Sequence, residues 1–380
     1  MNVPLNTSDK KKTKELAQNL ISEITRLSKI AMKENGGRPL RFMEVCGTHT
    51  VAIFRGGIRQ LLPDSVELVS GPGCPVCVTH DDYMDKAIAY AQRDDVIVTT
   101  FGDMLKVPGS KSSLSNEKTK GADIRIVYSP LDSIEIAKEN PDKKVIFLAV
   151  GFETTAPTAA ATVLAAKQQN VNNLFMLSAH KLVPPVLNLL LSDEKTKVDG
   201  FILPGHVCVV TGTEEFDFLA DKFHLPGVVT GFEPLEILRS LYRLCYQVAN
   251  KEAKIENEYG SVVKPEGNPQ AKAIMSRVYR KSDTSWRGMG EIPLSGLKMQ
   301  EEFKEYDIEN VLPLSLENAK IKKTACRCGE VLQGLIKPME CPLFGKACIP
   351  EHAIGPCMVS VEGTCAAWYK YGGGKFVFGK

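Results

Sequence analysis

The stretch Val66-Glu67-Leu68-Val69-Ser70-Gly71-Pro72-Gly73-Cys74-Pro75-Val76-Cys77-Val78-Thr79 decides how the rest of the chain is read. Its first four residues are a mainly apolar run of strand type, ended by the glycines and prolines that follow. The two thiols therefore fall at the carboxyl end of a strand, where open α/β sheets place their sites. Thiols separated by two residues can share a metal or close a small disulfide ring, and glycine lets backbone approach a ligand closely. A structural zinc knuckle, or a tight turn with two buried thiols, is the bland alternative.

The same grammar repeats outward from this point. Upstream, Leu16, Leu20, Ile21, Ile24, Leu27 and Ala31 recur at helical spacing, ending at Asn35-Gly36-Gly37. A short apolar segment, residues 40–45, then runs into Cys46-Gly47-Thr48-His49-Thr50, a thiol and an imidazole at a second strand exit. Downstream, a helix over residues 81–92 and a strand over 96–101 lead to a polar loop at 108–120, a candidate mobile flap. A strand at 124–128, a helix at 131–139 and a strand at 145–150 follow. Strands that are β-branched, apolar on both faces and separated by helices predict parallel sheets covered on both sides.

Further strand exits carry polar residues. Val150 enters Gly151-Phe152-Glu153-Thr154-Thr155-Ala156-Pro157-Thr158 and an Ala-rich helix, which Thr154 or Thr155 can cap and whose amides could hold an anion or polarised ligand. Residues 174–177 end at Ser178-Ala179-His180, and residues 201–203 end at Pro204-Gly205-His206. Gly231-Phe232-Glu233-Pro234 echoes Gly151-Phe152-Glu153 and points to related α/β units facing one cleft. Each exit has a plainer reading: the histidines as hydrogen-bonded turn residues, Glu153 and Glu233 as caps of backbone amides. Cys208 and Cys245 read as buried small hydrophobes. The glycines at 374–379 before Lys380 imitate part of a phosphate loop but lack the Ser or Thr and the helix it needs.

Length and composition bound the rest. At 380 residues and 43% hydrophobic, the chain exceeds the roughly 250 to 300 residues at which single cores divide. With 47 basic and 45 acidic residues the net charge is +2, so no field attracts nucleic acid or anionic lipid. No stretch reaches the length of a membrane span and no signal peptide precedes the first helix, so a soluble cytoplasmic protein is expected. In that reducing compartment, 11 clustered cysteines favour metal or redox chemistry over a disulfide framework.

Six of those cysteines fall between positions 326 and 365: Cys326, Cys328, Cys341, Cys348, Cys357 and Cys365. Prolines and glycines among them leave little room for long elements, so the segment's order should depend on a metal. Paired CxxC units of a zinc ribbon are absent, which favours [4Fe-4S] with four thiolates and two left as a redox pair. Residues 251–300 read as polar and less regular, with one helix near 269–279. The expected organisation is α/β: two related parallel-sheet α/β domains facing a cleft, 1–130 and 131–250, and an irregular iron-sulfur domain, 251–380.

Together, Cys46 to Thr50, Gly71 to Thr79, Gly151 to Thr158, Leu203 to His206 and Cys326 to Tyr371 resemble the HypD family of hydrogenase maturation factors. The resemblance spans residues 40–371. It implies assembly of the iron centre of [NiFe] hydrogenases, in partnership with the chaperone HypC. The complex of the two carries an iron with two cyanides and one carbon monoxide, cyanide coming from HypE and HypF, before transfer to the hydrogenase large subunit. It further implies that Cys46 holds the iron, that Cys74 and Cys77 are a redox dithiol, and that His49, His206, Glu233, Glu153 and Thr154 belong to the site. By the family's likeness to ferredoxin:thioredoxin reductase, Cys326, Cys341, Cys348 and Cys365 would hold a [4Fe-4S] cluster and Cys328 and Cys357 the adjacent pair. Spacing alone leaves Cys326 and Cys328 interchangeable. Ile349 and Trp368 stand where relatives are expected to carry Thr and Tyr; neither change removes a thiol.

Electrons would then pass from the carboxyl-terminal thiols through Cys74 and Cys77 to iron on Cys46. Two other classes fit part of the pattern. An iron-sulfur-dependent protein disulfide reductase would use the same cluster and dithiol without Cys46 and His49, and a zinc-organised binding module would have no redox activity.

Overall fold

The structure, a computed structural model, describes residues 10–193, 195–314 and 325–372; the glycines at 374–379 lie outside them. Eleven strands are described: β1 (Leu40–Glu44), β2 (Val66–Ser70), β3 (Val96–Thr100), β4 (Ile124–Ile126), β5 (Lys144–Gly151), β6 (Leu174–His180), β7 (Gly200–Pro204), β8 (Gly227–Thr230), β9 (Ile255–Asn257), β10 (Tyr279–Trp286) and β11 (Gly290–Met299). Two sheets are wholly parallel, in the orders β2-β1-β7-β8-β9 and β4-β3-β5-β6, as the apolar runs between helices predict. Their central strands are buried on both faces, which requires the helical cover that the sequence supplies.

The sheets are interleaved along the chain. β1 and β2 begin the first sheet, β3 to β6 build the second, and β7 to β9 return to the first, with β7 pairing directly beside β1. The divisions expected at residues 130 and 250 therefore do not fall between sheets. The helix Lys10–Glu34 packs on the helix Pro234–Ala249, closing one core around Ile24, Phe42, Ile202 and Leu241. The largest core runs from Met43 and Val69 through Val98, Ile146 and Leu203 to Cys328, Cys348, Cys357 and Cys365. The cysteine-rich segment thus packs into the apolar core that the two sheets share.

Three local expectations change. Residues 251–300 hold, besides the helix Pro269–Val278, an antiparallel hairpin of β10 and β11. Its polar, weakly alternating strands hid it, and Trp286-Arg287-Gly288-Met289-Gly290 is its turn, with Gly288 and Gly290 at φ +73° and +78°. β6 continues through His180, so Ser178 to His180 lie within the strand. The polar loop is pinned, Ser110 bonding Asp85 through its amide at 2.7 Å and its hydroxyl at 2.6 Å, and it carries a short helix, Leu114–Thr119, capped by Ser113.

One buried carboxylate ties β1 to its neighbours. Glu44 Oε1 accepts from Ser70 Oγ at 2.7 Å, at the end of β2, and from Arg59 Nη2 at 3.0 Å. Burial raises the Glu44 pKa, and Arg59 opposes that shift. Arg59 in turn lies over the rings of Phe54, at 4.9 Å, and Trp368, at 5.0 Å. Replacing Glu44 by Ala would leave the partly buried Arg59 without its counter-charge and Ser70 without its acceptor, at a cost of about 2 kcal/mol. A denaturant midpoint lowered accordingly against wild type is the expected result; an unchanged midpoint would show that the pair adds nothing.

Candidate functional site

A cavity of about 540 Å³ opens where the carboxyl ends of both sheets converge. The first sheet contributes Val45, Cys46 and Thr48 after β1, Gly73, Pro75 and Val76 after β2, and His206 and Val207 after β7. The second contributes Phe101 and Asp103 after β3 and Phe152 and Thr154 after β5. Ser360 and Glu362 of the cysteine-rich segment complete the wall. The placement follows the rule for open parallel sheets, applied twice around one cleft.

Cys46 caps the helix Gly47–Arg55 from an extended backbone, φ −156° and ψ 127°. Burial pushes its thiol up to about 11, against the amides of His49 and Thr48 and the Thr48 hydroxyl, while the Glu362 carboxylate adds to the rise. Such a thiol stays protonated at neutral pH until a soft cation replaces the proton. The following residues serve contacts. A Cβ on Gly47 would stand 2.4 Å from the Glu362 carbonyl oxygen, and Thr48 Oγ1 donates to Glu362 Oε1 at 2.8 Å.

Cys74 and Cys77 form a disulfide, and both are buried. Their loop lies directly on the Cys46 backbone: Gly47 donates to the Gly73 carbonyl at 3.0 Å, and a Cβ on Gly73 would meet Cys46 N at 2.3 Å. From the other side, Cys77 Sγ is 4.0 Å from the carbonyl oxygen of Pro356, the residue before Cys357. The dithiol thus sits between the cleft thiol and the carboxyl-terminal thiols.

Not every candidate faces the cleft. His206 and Thr154 do, whereas His49 is fully buried, its Nε2 2.9 Å from the Gly231 carbonyl and its pKa lowered to about 4 by burial. Glu153 points away, Oε1 accepting from Val183 N at 2.8 Å, and burial raises its pKa to about 7. Glu233 forms a capping box with Glu236 at the start of the helix Pro234–Ala249. Thr155 occupies the cap position of the helix Ala156–Gln168, but its hydroxyl bonds Phe152 O at 3.4 Å rather than a helix amide. His180 is buried against Tyr279. Sequence reasoning missed Asp103, Ser360 and Glu362. Ser360 Oγ donates to Asp103 Oδ2 at 3.4 Å, so this short loop bridges both halves of the cleft. Glu362 was hidden among the cysteines, although it is the one acidic residue between Cys357 and Cys365.

Among the described residues, no three His, Cys, Asp or Glu side chains meet in a metal-ligating arrangement. The carboxyl-terminal thiols meet pairwise instead. A hydrogen bond with Cys328 holds Cys326 below the ordinary thiol range, and one with Cys365 lowers Cys357. Cys328 also lies within electrostatic reach of Cys357, and Cys348 Sγ accepts from Ile354 N at 3.3 Å. Gly355 packs closely against this pair, since a Cβ there would stand 2.7 Å from Cys326 Sγ and 3.9 Å from Cys328 Sγ. Thiols gathered in one place are the soft donors that an iron-sulfur cluster takes.

The family model described as "HypD: Hydrogenase formation hypA family" matches residues 15–372. The chain belongs to the HypD family. It is 45% identical over 335 residues to the hydrogenase maturation factor HypD of Escherichia coli K12, covering 88% of this chain and 90% of that one. A putative hydrogenase expression/formation protein of Methanocaldococcus jannaschii is 43% identical over 348 residues, covering 92% and 96%. The Rhodobacter capsulatus HypD is 42% identical over 364 residues, covering 95% and 96%. A role in hydrogenase maturation follows. No helix among the described residues is long and apolar enough to cross a membrane.

Glu153 gives a pH test of this geometry. A carboxyl whose folded pKa lies above its unfolded value binds more protons when folded, so its contribution is lost as pH rises from about 4.5 to about 7. Glu153→Gln, which keeps the acceptor for Val183 N, should stabilise the protein above pH 7 by roughly 3 kcal/mol at most and leave it unchanged near pH 4. Unfolding midpoints at the two pH values check this; an equal effect at both would contradict the buried-carboxylate account.

Proposed function

We propose that this chain, with a HypC-type chaperone, is the scaffold on which the iron of a [NiFe] hydrogenase acquires two cyanides and one carbon monoxide, with Cys46 as its protein-borne iron ligand. The observation that carries this reading is a single thiol in an apolar-walled cleft, with the Cys74–Cys77 disulfide one backbone contact behind it. Electron-rich iron bearing cyanide and carbon monoxide calls for a soft anionic anchor, which a thiolate provides. Val45, Pro75, Val76, Phe101 and Phe152 keep water from that iron, while Thr154 and His206 offer donors to cyanide nitrogens. A HypE-type partner, working with HypF, would deliver cyanide in the cytoplasm, and the hydrogenase large subunit would receive the product.

A [4Fe-4S] cluster on Cys326, Cys341, Cys348 and Cys365 would supply single electrons. Cys328 and Cys357, as two thiols, could reduce the Cys74–Cys77 disulfide by exchange, becoming a disulfide as the other pair becomes two thiols. The 4.0 Å approach of Cys77 Sγ to Pro356 O supports that neighbourhood. A general protein disulfide reductase would need its dithiol open to a partner chain, and at 2% and 0% exposure Cys74 and Cys77 are closed off.

Iron and acid-labile sulfide, measured on the complex purified anaerobically with its chaperone, test this. Wild type should carry iron beyond that matched by sulfide, and Cys46→Ala should lose only that excess. Equal iron in both proteins would remove Cys46 from the anchoring role.

A further inference from the structure

The two Gly-Phe-Glu turns use their phenylalanines differently. Phe152 stacks on Trp286 with centroids 6.1 Å apart, whereas Phe232 meets two imidazoles, His206 at 4.0 Å and 33° and His49 at 4.6 Å and 28°. Two rings this close to one centroid and this nearly parallel to it would overlap if they shared a face. Phe232 therefore lies between them. Its edge is closed by Tyr259, at 6.4 Å and 85°.

The two histidines have opposite freedom. His49 is immobilised by burial and by its bond to the Gly231 carbonyl. His206 is exposed on the cleft wall, its ring against Phe232 and within electrostatic reach of the Glu362 carboxylate. That backbone is pressed onto the exit of β8, since a Cβ on Gly205 would meet Thr230 O at 2.4 Å and Tyr259 Cδ1 at 2.9 Å.

We propose that Phe232 is a positioning residue whose ring, backed by His49, fixes the plane of the His206 imidazole on the cleft wall, so that a ring N–H is presented to a metal-bound cyanide. This rests on the reading of the cleft as the iron site. An exposed imidazole free to rotate would have to be ordered as the ligand arrived; the stack orders it beforehand. It also gives His49 a role in the site although His49 does not face the cleft.

The test compares Phe232→Leu with Phe232→Tyr in the full chain, following the His206 titration by NMR on ring-labelled histidine, with His206→Asn assigning the signal and no iron loaded. Burial lowers the His206 pKa. Losing the ring in Phe232→Leu should raise it by about half a pH unit or more, while Phe232→Tyr keeps the wild-type value. Iron retained in the chaperone complex should fall several-fold in Phe232→Leu and return in Phe232→Tyr. An unmoved His206 titration in Phe232→Leu would overturn the proposal, and so would full iron retention. Phe232→Met serves the same comparison if the Leu variant does not fold. A shifted titration in a protein whose wild type binds no iron would keep the stack's hold on His206 and sink the iron-site reading, and with it the cyanide-facing role.

Discussion

The close contact between the Gly73 turn and the Val45–Cys46 backbone is the constraint on which the rest of the structure depends. No side chain fits between them, since a Cβ at position 73 would stand 2.3 to 2.5 Å from Cys46 N, Cys46 Cα and Val45 C. The contact follows from pairing β1 beside β2 in parallel, which brings both strand exits to the same edge. One exit carries the lone thiol and the other the dithiol. Adjacent strands in a parallel sheet thus do what a dedicated binding loop would do elsewhere: they hold two different sulfur functions at fixed separation.

The cysteine-rich segment is fitted to that arrangement from both sides. Its Gly288–Gly329 contact with the hairpin turn leaves no space for a side chain, and its loop from Ser360 to Glu362 touches Asp103 on one half of the cleft and Thr48 on the other. The loop hangs between Cys357 and Cys365, whose own hydrogen bond is local. Such a segment has little capacity to fold apart from the sheets, because its buried cysteines share their core.

Much of this was legible in the sequence, for identifiable reasons. Strands buried on both faces write mainly apolar runs, so β1 to β3, β5, β7 and β8 and their exits could be read, and with them Cys46, the Cys74–Cys77 pair, Thr154 and His206. The interleaving of the sheets could not, because no local pattern records that β7 returns to pair beside β1. Residues 279–299 form a polar hairpin without clean alternation and looked irregular. Proximity to a strand exit also does not say which way a side chain turns. Hence His49, Glu153 and Glu233 are near the cleft in sequence yet face a carbonyl, an amide and a helix start.

The most direct test is anaerobic infrared spectroscopy of the chain produced together with a HypC-type chaperone, wild type beside Cys46→Ala. The account predicts bands of metal-bound cyanide and carbon monoxide in wild type and their loss in the variant. The same bands at full intensity in Cys46→Ala would contradict it, because the thiol at the meeting point of the two sheets would then not be what holds the iron.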